Sequence, residues 1–222
     1  PIAVSKSFFK TDWPMMIFAT LLFIVMIASD QILSSFEGFI MILILFGFIF
    51  YLLNKNVQNE LIQPASAEFK VLNKKQTFIY LFAGGFALWL GSETLVKGAV
   101  SLATLMGVSE RVISVSIISI GTSIPELSAS IVAIIRKEKA ISLGNLIGSN
   151  VFNILAVMGV TSMILPIQVQ DLDLISNDLV WMFVISILVL LMVFIPRDSR
   201  LNRFNGIVLL GLYIYFIYDL IG

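Results

Sequence analysis

Seven long apolar runs, each bounded by short polar clusters, set the pattern of this chain. They fall at roughly 13–29, 36–53, 76–103, 109–135, 143–165, 178–196 and 204–221, and are lettered A to G. A helix needs about 20 residues to cross the hydrocarbon of a bilayer. Each run is close to that length or beyond it. Span C exceeds one straight crossing, so it is expected to tilt or to break near Gly91. The fold class is all-α, a polytopic transmembrane helical bundle of about seven helices.

Composition agrees. The 222 residues are 59% hydrophobic and 13% charged, with a mean hydropathy of +1.01; a soluble domain needs far more polar surface. Net charge is zero, and no nucleic-acid partner is expected. Cysteine and histidine are absent. That excludes disulfides, thiolate metal sites and the commonest transition-metal ligand. Any cation handled here must be bound by oxygen. No cofactor is expected.

Charge also sets orientation. Lys6, Lys10, Lys55, Lys70, Lys74, Lys75, Arg136, Lys137, Lys139, Arg197, Arg200 and Arg203 all fall on one side if successive spans alternate. These are 12 of the 14 basic residues. By the positive-inside rule they face the cytoplasm. The chain start is then cytoplasmic and the C-terminus external. The polar stretch 54–75 reads as a cytoplasmic linker between residues 1–53 and 76–222.

An internal repeat runs beneath the spans. Pro1-Ile2-x-Val4 leads through span A to Phe36-Glu37-Gly38 and span B. Pro166-Ile167-x-Val169 leads through span F to Phe204-Asn205-Gly206 and span G. Span A starts in the cytoplasm and span F outside, so the units have opposite orientation. Inverted repeats of this kind mark secondary transporters. A counterpart of spans C to E is expected upstream of Pro1, which reads as the start of a fragment or of a processed chain.

Polar residues within two neighbouring spans carry the chemistry. Glu126 lies mid-span in Gly121-Thr122-Ser123-Ile124-Pro125-Glu126-Leu127, where an ionised acid is costly and points to function. Ser116, Ser119, Ser123, Glu126 and Ser130 share one helical face, with Thr122 at its edge. Pro125 cannot donate to the Gly121 carbonyl, so carbonyls near Ser119 to Thr122 are expected to be freed. Span E aligns Asn145, Ser149 and Asn153, and Gly144 and Gly148 are spaced for close helix approach. Two bland readings stand beside this: a proline kink with serines bonded back to their own helix, and a packing seam with Asn as interhelical glue. Hard oxygen ligands suit calcium or sodium. Glu93 and Lys97, four apart, read as a surface ion pair. Asp171 and Asp173 read as solvated.

The ordered runs Gly91-Ser92-Glu93-Thr94-Leu95-Val96, Gly107-Val108-Ser109-Glu110, Gly121-Thr122-Ser123-x-Pro125-Glu126-Leu127 and Gly144-Asn145-x-x-Gly148-Ser149-Asn150-x-x-Asn153 resemble an alpha-repeat of the cation/calcium exchanger superfamily. They look closest to prokaryotic sodium/calcium exchangers. The repeat covers about residues 85–167. The resemblance implies a ten-helix fold of two inverted five-helix halves with a cation site at mid-membrane. Spans A and B would close the first half and C to G form the second, leaving a missing N-terminal half with a second alpha-repeat. It implies Glu126 as a shared calcium and sodium ligand, Thr122 and Ser123 as oxygen donors, Ser149 at a sodium site and a backbone carbonyl at Ser119. Asn153 stands where many relatives have Asp, which lowers the negative charge of the site.

The function expected is secondary antiport, not enzymatic catalysis. Calcium is exchanged for sodium by alternating access, with calcium, sodium and membrane lipid as partners, in the plasma membrane of a prokaryote (its inner membrane). The alternatives are calcium/proton antiport and, from another class, a cation channel module.

Overall fold

The computed structural model describes residues 2–4, 8–54, 73–136, 139–171, 173–194 and 200–221. Seven long helices run through them: α1, Phe8–Asp30; α2, Ser35–Asn54; α3, Lys74–Leu105; α4, Ile113–Ile135; α5, Ser142–Ile164; α6, Leu174–Phe194; and α7, Arg203–Ile221. The first six are long and apolar enough to cross a membrane, and α7 has 19 residues. These are the seven expected spans. The greater part of the 54–75 linker lies outside the described residues.

α3 does not break at Gly91: it is one helix of 32 residues, about 48 Å at 1.5 Å per residue. Glycine weakens a helix but removes no backbone hydrogen bond. In lipid a broken ladder would leave polar groups with no solvent to receive them, so the helix persists. Asn73 caps it, with the Gln76 side chain accepting from the Asn73 amide at 3.3 Å. Gly107 closes the following turn at φ +76°, a left-handed backbone that glycine adopts without strain.

Two compact units divide the chain. The first comprises Pro1–Gln63 and Lys139–Leu210, the second Pro64–Glu138 and Gly211–Gly222. In the first unit four two-residue strands punctuate the helices: β1, Ile2–Ala3; β2, Ile32–Leu33; β3, Ile167–Gln168; and β4, Arg200–Leu201. β1 pairs antiparallel with β4, Ile2 opposite Leu201 and Ala3 opposite Arg200. β2 pairs antiparallel with β3, Leu33 opposite Ile167 and Ile32 opposite Gln168. Exchanging β1 for β3 and β4 for β2 turns the first register into the second. The sequence repeat is therefore a structural pseudo-two-fold. α1 runs from the β1–β4 end to the β2–β3 end, and α6 runs back. Both helices open on widened π-helical turns, Phe8–Asp12 and Leu174–Asp178.

The core of this unit lies between α1, α2, α5 and α6, with Phe8, Ile27, Leu33, Met41, Leu155 and Val193 nearly inaccessible. The Trp13 indole donates to the Ser186 carbonyl at 3.0 Å, tying α1 to α6. α2 begins with a reciprocal cap: Ser34 N donates to Glu37 Oε2 at 2.8 Å, and Glu37 N donates to Ser34 Oγ at 3.3 Å. The start of α2 then lies against the end of α5. A Cβ on Gly38 would stand 2.5 Å from the Gly159 carbonyl oxygen, and Ser35 Oγ donates to the Ser162 carbonyl at 3.0 Å. In the second unit α3 packs on α4. Most other large apolar side chains of α3 are exposed, among them Phe78, Tyr80, Phe82, Phe86 and Trp89. Lipid is the solvent that makes such a surface stable.

Candidate cation site

The second unit holds the α4 residues. The helix enters through Ser109, whose hydroxyl accepts from Val112 N at 3.4 Å, and through a widened turn at Ile113–Ile118. Turns of this type recur at functional sites. Ser116 Oγ donates back to the Val112 carbonyl. Thr122 Oγ1 donates to Ile118 O at 3.0 Å and to Ser119 O at 3.1 Å. The expected back-bonding thus exists at Ser116 and Thr122. It does not disqualify these groups, because a hydroxyl that gives its proton to a carbonyl still presents oxygen lone pairs. Ser119, Thr122 and Ser123 are exposed along the helix, while Glu126 is half-buried with its Oε2 atom shielded.

The proline kink resolves differently from expectation. The Gly121 carbonyl, which Pro125 leaves without its helical donor, is not open. It accepts the Ser92 hydroxyl of α3, because the two helices touch there: a Cβ on Gly121 would stand 2.0 Å from Val96 Cγ2. Sequence reasoning missed Ser92. The signal was available, since a buried carbonyl orphaned by proline requires a donor from a neighbouring element. The Glu93–Lys97 pair forms as expected, with Nζ and Oε1 3.0 Å apart and both side chains well exposed.

The first unit holds the α5 residues. Ser149 Oγ and Asn150 Nδ2 both donate to the Leu146 carbonyl, at 3.0 and 2.9 Å. Asn153 is exposed and opens another widened turn, Asn153–Met158. Gly144 and Gly148 are not a packing seam among the described residues: a Cβ at either would meet nothing within 4 Å. The close approaches on α5 occur instead at Gly159, opposite Gly38 and Ile42. No group of three or more carboxylates or other strong metal-ligand side chains gathers among the described residues.

Comparison with known proteins assigns the chain. Residues 76–222 match the family model described as sodium/calcium exchanger protein. CaxA of Alkalimonas amylolytica is 35% identical over 98% of this chain and 70% of its own length. The sodium/calcium exchanger MaX1 of Methanosarcina acetivorans is 31% identical over 59% of this chain and 37% of its own. The solved sodium–calcium exchanger NCX_Mj, soaked with sodium and strontium ions, superimposes with a TM-score of 0.72 at 26% identity, over 98% of this chain and 67% of that one. The chain thus spans about two-thirds of the relatives it matches along its full length. On these likenesses, and on the helical fold that carries the motifs, the chain belongs to the sodium/calcium exchanger protein family of integral membrane exchangers.

Proposed function

We propose that the complete protein is a secondary antiporter exchanging calcium for sodium by alternating access. The observation that carries this reading is the polar face of α4. Glu126 lies one residue after a proline, and the Thr122 hydroxyl four residues back has its proton committed to backbone carbonyls. A carboxylate and a hydroxyl oxygen turned out as an acceptor are what a desolvated hard cation needs in place of water. Sodium and calcium would compete for the same oxygens, and that competition is the coupling.

In this reading Glu126 is the shared ligand, Thr122, Ser123 and the Ser119 carbonyl add oxygens, and Ser149 and Asn153 contribute from α5. A second alpha-repeat, N-terminal to this chain in the whole protein, supplies the remaining negative charge. The wider turns at Ile113–Ile118 and Asn153–Met158 give each polar helix a place to shift register as access alternates. The membrane is the prokaryotic inner membrane, with the start of this chain inside and its end outside.

The test is calcium-45 uptake into vesicles carrying the full-length protein, driven by an outward sodium gradient. Uptake is expected to fall to background in Glu126→Gln. Asn153→Asp, which adds one negative charge, is expected to raise apparent calcium affinity. Uptake driven equally well by a pH gradient in sodium-free buffer would replace sodium with the proton as the coupling ion. Sodium-driven uptake undiminished in Glu126→Gln would remove that residue from the site.

A further inference from the structure

Among the described residues, the buried ones in the 32-residue helix α3 are Ser92 and Ala103. Ser92 is also set apart by its hydrogen bond. The other Ser and Thr hydroxyls of this helix donate to carbonyls four residues back in their own segment: Thr77 to Asn73, Thr94 to Leu90, Ser101 to Lys97 and Thr104 to Val100. That is the ordinary local use of a hydroxyl inside a helix. Ser92 instead gives its proton to the Gly121 carbonyl of α4. The carbonyl it meets is the one that Pro125, four residues on, leaves without an amide.

Gly121 stands at the back of the candidate site. With 3.6 residues per turn, Ser119, Ser123 and Glu126 lie about 140–160° round α4 from it. Exposure follows the same division: Gly121 is buried against Val96, whereas Ser119 and Ser123 are exposed. Along the chain the candidate ligands straddle the proline, with Ser119, Thr122 and Ser123 before it and Glu126 after it. A helix that has lost one rung of its ladder bends readily at that place. A hydroxyl fixed on the freed carbonyl sets how far.

We infer that Ser92 is a positioning residue of the cation site. It touches no cation. By holding the Gly121 carbonyl it fixes the bend at Pro125, and with it the separation between the Thr122 hydroxyl and the Glu126 carboxylate. It also keeps that carbonyl engaged with α3, so that it adds no oxygen to the cation shell. Selection among hard cations depends on the size and flexibility of the oxygen cage as well as on its charge. The residue that stiffens the bend therefore governs discrimination between cations of equal charge. The inference rests on the reading of Glu126 and Thr122 as ligands made above, and it adds a residue of another helix that tunes them.

The test is sodium-driven uptake of calcium and, separately, of strontium, the larger ion, into vesicles carrying the full-length protein. Ser92→Ala is expected to raise the apparent KM for calcium about tenfold while the maximal rate stays within about twofold, the pattern of weakened ion binding. The preference for calcium over strontium is expected to narrow. Pro125→Ala restores the amide that the Gly121 carbonyl lacks. In that background Ser92→Ala is expected to alter neither KM nor preference, because the helix then supplies its own donor. A purely structural role for Ser92 predicts a lower maximal rate through loss of folded protein, with KM and preference unmoved, and that result would overturn the inference. So would an equal effect of Ser92→Ala in both backgrounds, since the hydroxyl would then act elsewhere than on Gly121. Should Ser92→Ala fold too poorly to assay, Ser92→Cys, whose thiol is a weaker donor, takes its place; a narrowed preference is expected, and an unchanged one overturns the inference. Failure of the exchange reading looks different. There the wild-type protein itself takes up no calcium in response to sodium, which removes both, whereas wild-type KM and preference in Ser92→Ala remove the role of Ser92 and leave exchange standing.

Discussion

The geometry around Pro125 depends on two residues of another helix. Proline deprives the Gly121 carbonyl of its helical donor, and Ser92 replaces it. Gly121 lets α3 come that close, since any Cβ would overlap Val96. Replacing Ser92 with Ala leaves a buried carbonyl without a donor, at a cost of about 1 kcal/mol in a membrane helix pair. Two opposing magnitudes decide Gly121→Ala. Alanine gains up to about 1 kcal/mol of helix preference, while overpacking against a β-branched side chain costs about 1–3 kcal/mol. The clash should win, and thermal unfolding in detergent should show a lower midpoint. In a Val96→Ala background the clash is gone and the same Gly121→Ala should raise the midpoint. An unchanged sign between the two backgrounds would show that Val96 is not what Gly121 avoids. Glu126 and Pro125 could be read from the sequence, because an acid and a proline inside an apolar run are local anomalies. Ser92 was legible only in part: the carbonyl orphaned by Pro125 calls for a donor, but helical periodicity assigns a face and not the neighbour that supplies it.

Elements were legible to the extent that their causes are local. Apolar length alone located all seven helices, because in a bilayer the backbone has few alternatives. What escaped was set by contacts or by subtle winding. α1 begins at Phe8, earlier than its apolar run, because Phe8–Asp12 adds a widened turn. α1 ends at Gln31 in a left-handed conformation, φ 62°, its amide on the Ile27 carbonyl at 2.9 Å; no glycine marks that stop. Glycines look alike in the sequence and differ in the fold. Gly38 faces the Gly159 carbonyl, whose backbone cannot give way, whereas a Cβ on Gly47 of the same helix would meet nothing within 4 Å among the described residues. Gly38→Ala is therefore expected to destabilise by about 1–3 kcal/mol, and Gly47→Ala to be neutral or mildly stabilising. Thermal midpoints of the two variants, measured side by side, check it. Equal losses would mean that helix flexibility rather than the α2–α5 contact governs both positions. The repeat motif fared better than the glycines: Pro-Ile-x-Val in two places became β1 and β3, each paired in the same register.

At the scale of the whole molecule, two kinds of observation bear on which end faces the cytoplasm. Strand pairing puts the chain start and the α6–α7 connection at one end of the first unit, and the α1–α2 and α5–α6 connections at the other. That is the grouping the alternation of spans requires, obtained without using charge. The sign then comes from charge. Among the described residues Lys10, Arg200 and Arg203 belong to the first end, while the connections at the second carry acids, Asp30, Asp171 and Asp173, and no Lys or Arg. On the orientation proposed above, retention of basic residues in the cytoplasm during insertion would keep the first end inside. The chain itself holds no cysteine, so with any cysteine elsewhere in the full-length protein replaced by serine this can be checked one position at a time in intact cells. Gln170→Cys and Met106→Cys, at exposed positions after α5 and α3, should react with a membrane-impermeant maleimide. Lys74→Cys, exposed at the start of α3, should react only after permeabilisation. If Lys74→Cys labels from outside while Gln170→Cys is protected, the orientation is reversed. The pairing of the connections at each end would stand.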